Sequence, residues 1–267
     1  MDKLRILMLA AALMSSGCKR HIELEYAAVA PLYVVEASFD GRALDVAVRR
    51  TVDVVGGLPP EPVEFGYELT CDGREVCGGT TEDNAYHITG REPVYGGRYR
   101  VEITVPDGRF AAESTLHPPV AIGALWFETA ESMGKEKLYA CMEFEDPAGE
   151  ENCYYIYYRN DRNGRKAYFL ADDERRDGRT IRVDSVVSDS SGHMGVESEG
   201  LGLEEGDVLR AELRAIDSGA YDFFRSASLG TAFAPSNPKS NFEGGCLGCF
   251  SAYSVSETTA VYRADAL

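Results

Sequence analysis

The chain of 267 residues reads as mainly β: two consecutive antiparallel β-sandwich domains of immunoglobulin-like type, with one short helix in the second. Three observations predict this. From residue 31 onward, apolar and polar side chains alternate with period two in short runs. Asp-Gly pairs at 40–41, 72–73 and 107–108 separate several of these runs and supply the positive φ that tight hairpins need. Short strands with regular turns are the pattern of a sandwich, and the first half has no sustained helical period.

The N-terminus carries Lys3 and Arg5, an apolar run of nine residues from Ile6 to Met14, and then Ser15-Ser16-Gly17-Cys18. This is the pattern of a secretory signal peptide over residues 1–17. Nine residues are too few to span a bilayer, which takes about 20. The small-small-Gly-Cys ending resembles a bacterial lipobox, in which the cysteine is lipidated and becomes the first residue. Cys18 is therefore the expected lipid anchor and residues 18–30 the tether. Several acyl chains, at about 0.8 kcal/mol per buried CH₂, hold a protein stably at a bilayer.

The first sandwich is expected over residues 31–118. Its strands are Leu32–Ser38, Ala43–Val55, Val63–Cys71, Tyr86–Ile88, Arg98–Val105 and Arg109–Leu116. His117-Pro118-Pro119 ends it, because two prolines cannot continue a ladder. The second is expected over residues 119–267, with strands Ile122–Thr129, Lys137–Glu145, Cys153–Arg159, Ala167–Leu170, Thr180–Val187 and Val208–Ile216. Asp217 then opens the helix "DSGAYDFFRSAS": it can cap, and Ala220, Phe223, Phe224 and Ala227 share one face. The "APSNPKSNFEGG" run is loop by composition. Strands at Cys249–Val255 and Thr259–Arg263 close the chain.

Charge narrows the partners. There are 44 acidic against 27 basic side chains, for a net charge of −17. That excess argues against binding nucleic acid through phosphates and against adhesion to an anionic membrane by charge alone. Hydrophobic residues at 44% suit an ordinary globular chain.

Six cysteines follow Cys18: Cys71, Cys77, Cys141, Cys153, Cys246 and Cys249. An exported chain meets an oxidising compartment, so an even count points to disulfides, although six cysteines allow 15 connectivities. Cys71 and Cys77 flank a turn-like stretch, 72–76. Cys141 and Cys153 flank Asp146-Pro147-Ala148-Gly149, and a hairpin symmetric about Pro147 would set them opposite each other, within disulfide reach. Cys246-Leu247-Gly248-Cys249 lacks the βαβ context of a redox pair and a second ligand pair for zinc. It reads foremost as a structural disulfide or buried thiols.

Among the remaining motifs, Asp172-Asp173-Glu174 with Asp177-Gly178 is the densest carboxylate group. Its spacing does not fit an EF-hand, and it reads as a solvated turn. His193-Met194 lies in a loop. No Gly-x-Ser-x-Gly, His-Glu-x-x-His or phosphate-loop pattern occurs, so neither catalytic residues, a metal site nor a cofactor is expected. Tyr154, Tyr155, Tyr157 and Tyr158 alternate on one strand: half should pack in the core, leaving the other face as a binding platform. Asp184-Ser185-Val186 resembles the O-glycosylation signal of exported Bacteroidota proteins, which marks Ser185.

The C-terminal block "NPKSNFEGGCLGCFSAYSVS" is similar to the signature of a Bacteroidota outer-membrane lipoprotein family, the domain-of-unknown-function family 4249. Further blocks agree in order: "APLYVVEASF", "EFEDPAGEENCYYIYY", "YFLADDERRDGRT" and "GDVLRAELRAIDSGAYDFFRS". Cys246 and Cys249 depart from the family pattern, in which Ala and an aromatic residue are expected. The resemblance implies a lipid-anchored accessory protein, partner of a TonB-dependent receptor in nutrient capture or import. It implies no catalytic residues. An immunoglobulin-like adhesin or envelope structural protein is the alternative. The expected ligand or partner surface comprises Tyr155, Tyr157, Asn237 and Asn241. The expected location is the outer membrane, its face left open.

Overall fold

Fifteen strands, one α-helix and a short 3-10 helix (Ala264–Ala266) make up the regular structure of the computed structural model, which describes residues 30–52, 63–132, 134–188, 200–233 and 237–266. The signal segment, Cys18 and the His193-Met194 loop lie outside the described residues.

In the first sandwich, β1 (Tyr33–Phe39), β2 (Ala43–Arg50) and β5 (Ala85–Ile88) share one sheet. The strands β3 (Phe65–Cys71), β4 (Arg74–Thr81), β6 (Arg98–Val105) and β7 (Gly108–Thr115) form the facing one. Alternation does the work the sequence implies: Val35, Phe39, Leu44, Val46, Leu69, Val101 and Ile103 all turn inward into one core. The Asp72-Gly73 turn has φ of 48° and 77°, the two consecutive positive values of a tight two-residue hairpin. The turn is therefore shorter than the 72–76 stretch, and the chain resumes pairing at Arg74. At the third Asp-Gly pair the turn residues are Pro106 and Asp107. Neither Asp107 nor Gly108 has a positive φ, because Pro106 sets a different turn and Gly108 opens β7.

The second sandwich stacks β8 (Ile122–Ser132), β9 (Lys135–Glu145) and β12 (Thr180–Val186) on a sheet of β10 (Cys153–Asn160), β11 (Lys166–Asp172), β13 (Val208–Ile216) and β15 (Ser254–Val261). Its core holds Met142, Phe144, Tyr154, Ile156, Tyr158, Leu209 and Leu213. Here β9 and β10 do not pair. The Asp146-Pro147-Ala148-Gly149 turn is a corner that carries the chain from one sheet to the other.

The helix α1 (Ser218–Phe233) follows β13 directly. Asp217 caps it: its Oδ1 accepts the N–H of Ala220 at 2.9 Å. The chain then returns to the first sandwich as β14 (Leu247–Ala252), which pairs in parallel with β1. The segment 242–252 contributes Phe242, Cys246, Phe250 and Ala252 to the first core. Gly248 has φ of +120°, and a Cβ there would fall 1.8 Å from the carbonyl oxygen of Val35, so only glycine lets β14 approach β1. Tyr253 alone separates β14 from β15, and its N–H donates to the Phe39 carbonyl at 2.9 Å. One run of chain thus completes a sheet in each sandwich. Residues Pro31–Leu267 cluster as one unit. Among the described residues no helix is long and apolar enough to cross a membrane.

Candidate functional site

Because β14 and β15 belong to different sheets, the outer face of β1–β2 is brought up against the outer face of β10–β13 and α1. Between them lies a cleft of about 440 Å³. One wall is polar: Glu36, Ser38, Asp45 and Arg49 point outward from β1 and β2, opposite in parity to the core residues. Arg49 Nη1 lies 2.9 Å from Glu36 Oε2, while Asp45 is exposed and its carboxylate forms no hydrogen bond or ion pair among the described residues. The other wall is aromatic, built from Tyr155, Phe223, Phe224 and Tyr253.

Arg214 sits at the centre of that wall. Its guanidinium lies 4.7 Å from the Tyr253 ring centroid, 5.5 Å from Tyr157 and 5.8 Å from Tyr155. These are cation–π distances. Glu212 Oε2 accepts its Nε–H at 2.9 Å. Register explains the cluster: Tyr155 pairs with Arg214 and Tyr157 with Glu212 across β10 and β13. Burial pushes the Tyr155 and Tyr253 hydroxyls up from their ordinary value, so both stay protonated and can donate. The cleft therefore offers flat apolar faces on one side and charges and hydroxyls on the other. That combination suits binding of a small amphipathic molecule.

The expected surface residues are distributed differently. Tyr154 and Tyr158 are fully buried in the core, as the alternation predicts. Tyr155 lines the cleft but is only 9% exposed, because Phe224 of α1 packs on it at 4.7 Å. Tyr157 is half-buried against Tyr168, with ring centroids 5.3 Å apart. Asn237 is exposed and away from the cleft lining. Asn241 is bound to the backbone: its Nδ2 donates to the Phe250 carbonyl at 2.7 Å, and its Oδ1 accepts the Phe250 N–H at 2.9 Å. Its amide thus mimics a strand partner for β14.

The structure places the cysteines and Ser185, with Cys246 and Cys249 as buried thiols, one of the two readings of that pair. All six cysteines among the described residues are free thiols. Cys141 pairs with Asp184 and Trp126, and Arg182 Nη2 lies 3.6 Å from its sulfur, which places it on the outer face of its sheet. Cys153 packs with Tyr155 and Tyr157 on the outer face of the opposite sheet. Sheets stack about 10 Å apart, so the two point away from each other beyond disulfide reach. Cys71 and Cys77 share a core, but Cys77 pairs with Leu69 and Cys71 with Arg74, a diagonal offset. Cys246 enters the first core, while Cys249 faces α1 on the other side of β14. Ser185, marked for glycosylation, lies inside the second sandwich. It is 0% exposed and turned between the sheets opposite Ala140, closed to any glycosyl transfer in the folded chain.

Sequence reasoning passed over Arg214, Glu212 and Asp45. The signal for the first two is the strand "VLRAELRAI", whose charges repeat every second residue on one face.

A model of the family described as a domain of unknown function (DUF4249) matches residues 19–259. The chain belongs to this family. The DUF4249 chain also shows similarity to solved structures. A two-domain fibronectin type III segment from chicken tenascin is 10% identical, with 88% of this chain and 99% of that one covered at a TM-score of 0.26. The chicken interferon gamma receptor alpha chain is 10% identical, with 89% and 100% covered at a TM-score of 0.25. The assignment of sandwiches rests on the strand pairing above. No curated protein matches.

Proposed function

We propose that this DUF4249 protein is a lipid-anchored, non-catalytic binding protein of the outer membrane that serves a TonB-dependent receptor in nutrient capture or import. The observation that carries the reading is the cleft with the caged Arg214 facing the polar wall of β1 and β2. Cys18 would hold that cleft at a bilayer, and immobilisation beside a receptor raises the effective concentration of a captured ligand. The lipobox-like Ser15-Ser16-Gly17-Cys18 supports the anchor.

The test uses the tagged full chain in its own cell envelope. Cys18→Ser is expected to move the protein out of the membrane fraction. The parent is expected to enrich one TonB-dependent receptor from detergent extracts. Asp45→Ala with Arg49→Ala should weaken uptake while leaving the fold intact, since an exposed pair such as Arg49–Glu36 contributes only about 0–1 kcal/mol. A Cys18→Ser protein that stays with membranes overturns the anchor. Equal recovery of unrelated envelope proteins overturns the receptor role in favour of a scaffold.

A further inference from the structure

Three carboxylates outside the cleft converge from two loops. Asp146 follows β9, Asp173 follows β11, and Asp177 lies in the turn before β12. One oxygen from each falls within 4.8 Å of the others. Asp146 is 6% exposed and Asp173 5%, yet no ion pair reaches any of the three among the described residues. The nearby Arg176 is turned elsewhere, donating to the carbonyls of Asp172 and Arg182.

Two of the three are held in place. Tyr154 donates to Asp146 Oδ1 at 2.5 Å, and the N–H of Gly178 to Asp146 Oδ2 at 3.0 Å. The N–H of Gly149 donates to Asp177 Oδ1 at 2.7 Å. Asp173 is different. Its carboxylate accepts no hydrogen bond from any described residue, although it is buried and directed into the group. An aspartate only 5% exposed, with neither donor nor cation on its carboxylate and two further carboxylates beside it, leaves oxygen ligands that a cation can take up.

We propose that Asp146, Asp173 and Asp177 bind a calcium ion. Oxygen-only ligands select a hard cation. Ligands on opposite sides of a Ca²⁺ lie about 5 Å apart, since each bond is about 2.3–2.6 Å, so the observed span fits one ion with little movement. Asp173 and Asp177 open on a surface recess of about 570 Å³, through which water supplies the remaining ligands. Glu150, Glu151, Asp172 and Glu174 also line it, against a single Arg225 that is paired with Asp222. The recess thus gathers cations at the mouth of the site. Magnesium, which demands near-ideal octahedral geometry, fits these loop carboxylates less well.

The test is calorimetric titration of the full-length protein, stripped with EDTA, with CaCl₂ and separately with MgCl₂. One saturable calcium site is expected, with a Kd on the order of 10⁻⁴–10⁻³ M, as in extracellular calcium modules. Magnesium should bind at least about tenfold more weakly. Asp173→Asn and Asp177→Asn should each weaken calcium about tenfold or more. Near-UV circular dichroism reports folding, and Asp177, being exposed, decides the matter if the Asp173 variant unfolds. Terbium bound in place of calcium should luminesce on excitation of Tyr154, and Tyr154→Phe should dim it. No calcium binding up to about 10 mM, unchanged affinity in both variants, or equal affinity for magnesium overturns the proposal.

Discussion

Asp217 and Thr115 join the two sandwiches through one hydrogen bond: Oδ2 of the aspartate accepts the N–H of Thr115 at 3.1 Å. Its other oxygen caps α1 at Ala220. Thr115 ends β7 of the first sandwich, and Asp217 follows β13 of the second, so a single carboxylate serves a helix terminus and a junction. Asp217→Ala should lower stability by about 2 kcal/mol or more, combining a lost cap with an unsatisfied backbone donor. Asp217→Ser should restore the cap but not the reach to Thr115, and so recover part of the loss. Urea unfolding of the three proteins gives the comparison.

Free buried thiols make a second prediction. Burial raises the thiols of Cys77 and Cys246 to about 11 and those of Cys141 and Cys153 to about 12. Few thiolates exist at neutral pH, so native protein at pH 8 should resist alkylation at these positions until it unfolds. Linkage fixes the sign of the pH effect. A group that holds its proton more tightly when folded stabilises fully below its unfolded pKa, near 9, and that contribution is lost as pH rises toward 11 and 12. Urea midpoints should therefore fall steadily above pH 9. A flat profile there, or rapid labelling at pH 8, contradicts the buried-thiol arrangement.

Most strands were legible because each has one face on a core, which writes period two into the sequence. β4 was hidden by Gly78-Gly79, a weak strand former that fits because Tyr67 lies across it. A Cβ at Gly79 would come within 2.9 Å of the Tyr67 hydroxyl. The corner at Asp146-Pro147-Ala148-Gly149 uses the same residues as a hairpin turn, so local chemistry could not say whether β9 and β10 pair or cross between sheets. The return of β14 to β1 depends on side-chain fit some two hundred positions apart in sequence, at Gly248 and Val35. The cleft follows from that return, which is why Tyr155 was legible as strand and aromatic but not as the floor beneath α1.

Acid should act through Asp207. Its carboxylate accepts Arg162 Nε–H at 2.7 Å, the Asn160 amide at 2.9 Å and the Glu204 N–H at 2.9 Å. The Arg162 guanidinium, with these donors, holds Asp207 down at about 2. A depressed carboxylate contributes stability above its unfolded pKa of 3.8, and that contribution is lost as pH falls toward 2. Asp207→Asn should be less stable at neutral pH and should flatten the acid limb of a stability profile between pH 4 and 2. Carboxyl titration by NMR checks the same residue directly.

Arg214 tests whether the aromatic wall is a unit. Its charge is met by Glu212, whose side chain is only 15% exposed, and by three tyrosine rings. Arg214→Met keeps the apolar bulk but strands the Glu212 carboxylate, so it should cost about 2–4 kcal/mol, between an exposed and a fully buried broken pair. Arg214→Lys keeps the charge yet cannot lie flat on Tyr253, and should fall between parent and Met. The double variant Glu212→Gln with Arg214→Met removes both charges and should regain part of the loss. A coupling of about 1 kcal/mol or more in the resulting cycle is expected for groups in contact. Additive losses would mean that the arginine is held by the rings alone, and then tyrosine substitutions at 157 and 253, rather than at Glu212, should carry the coupling.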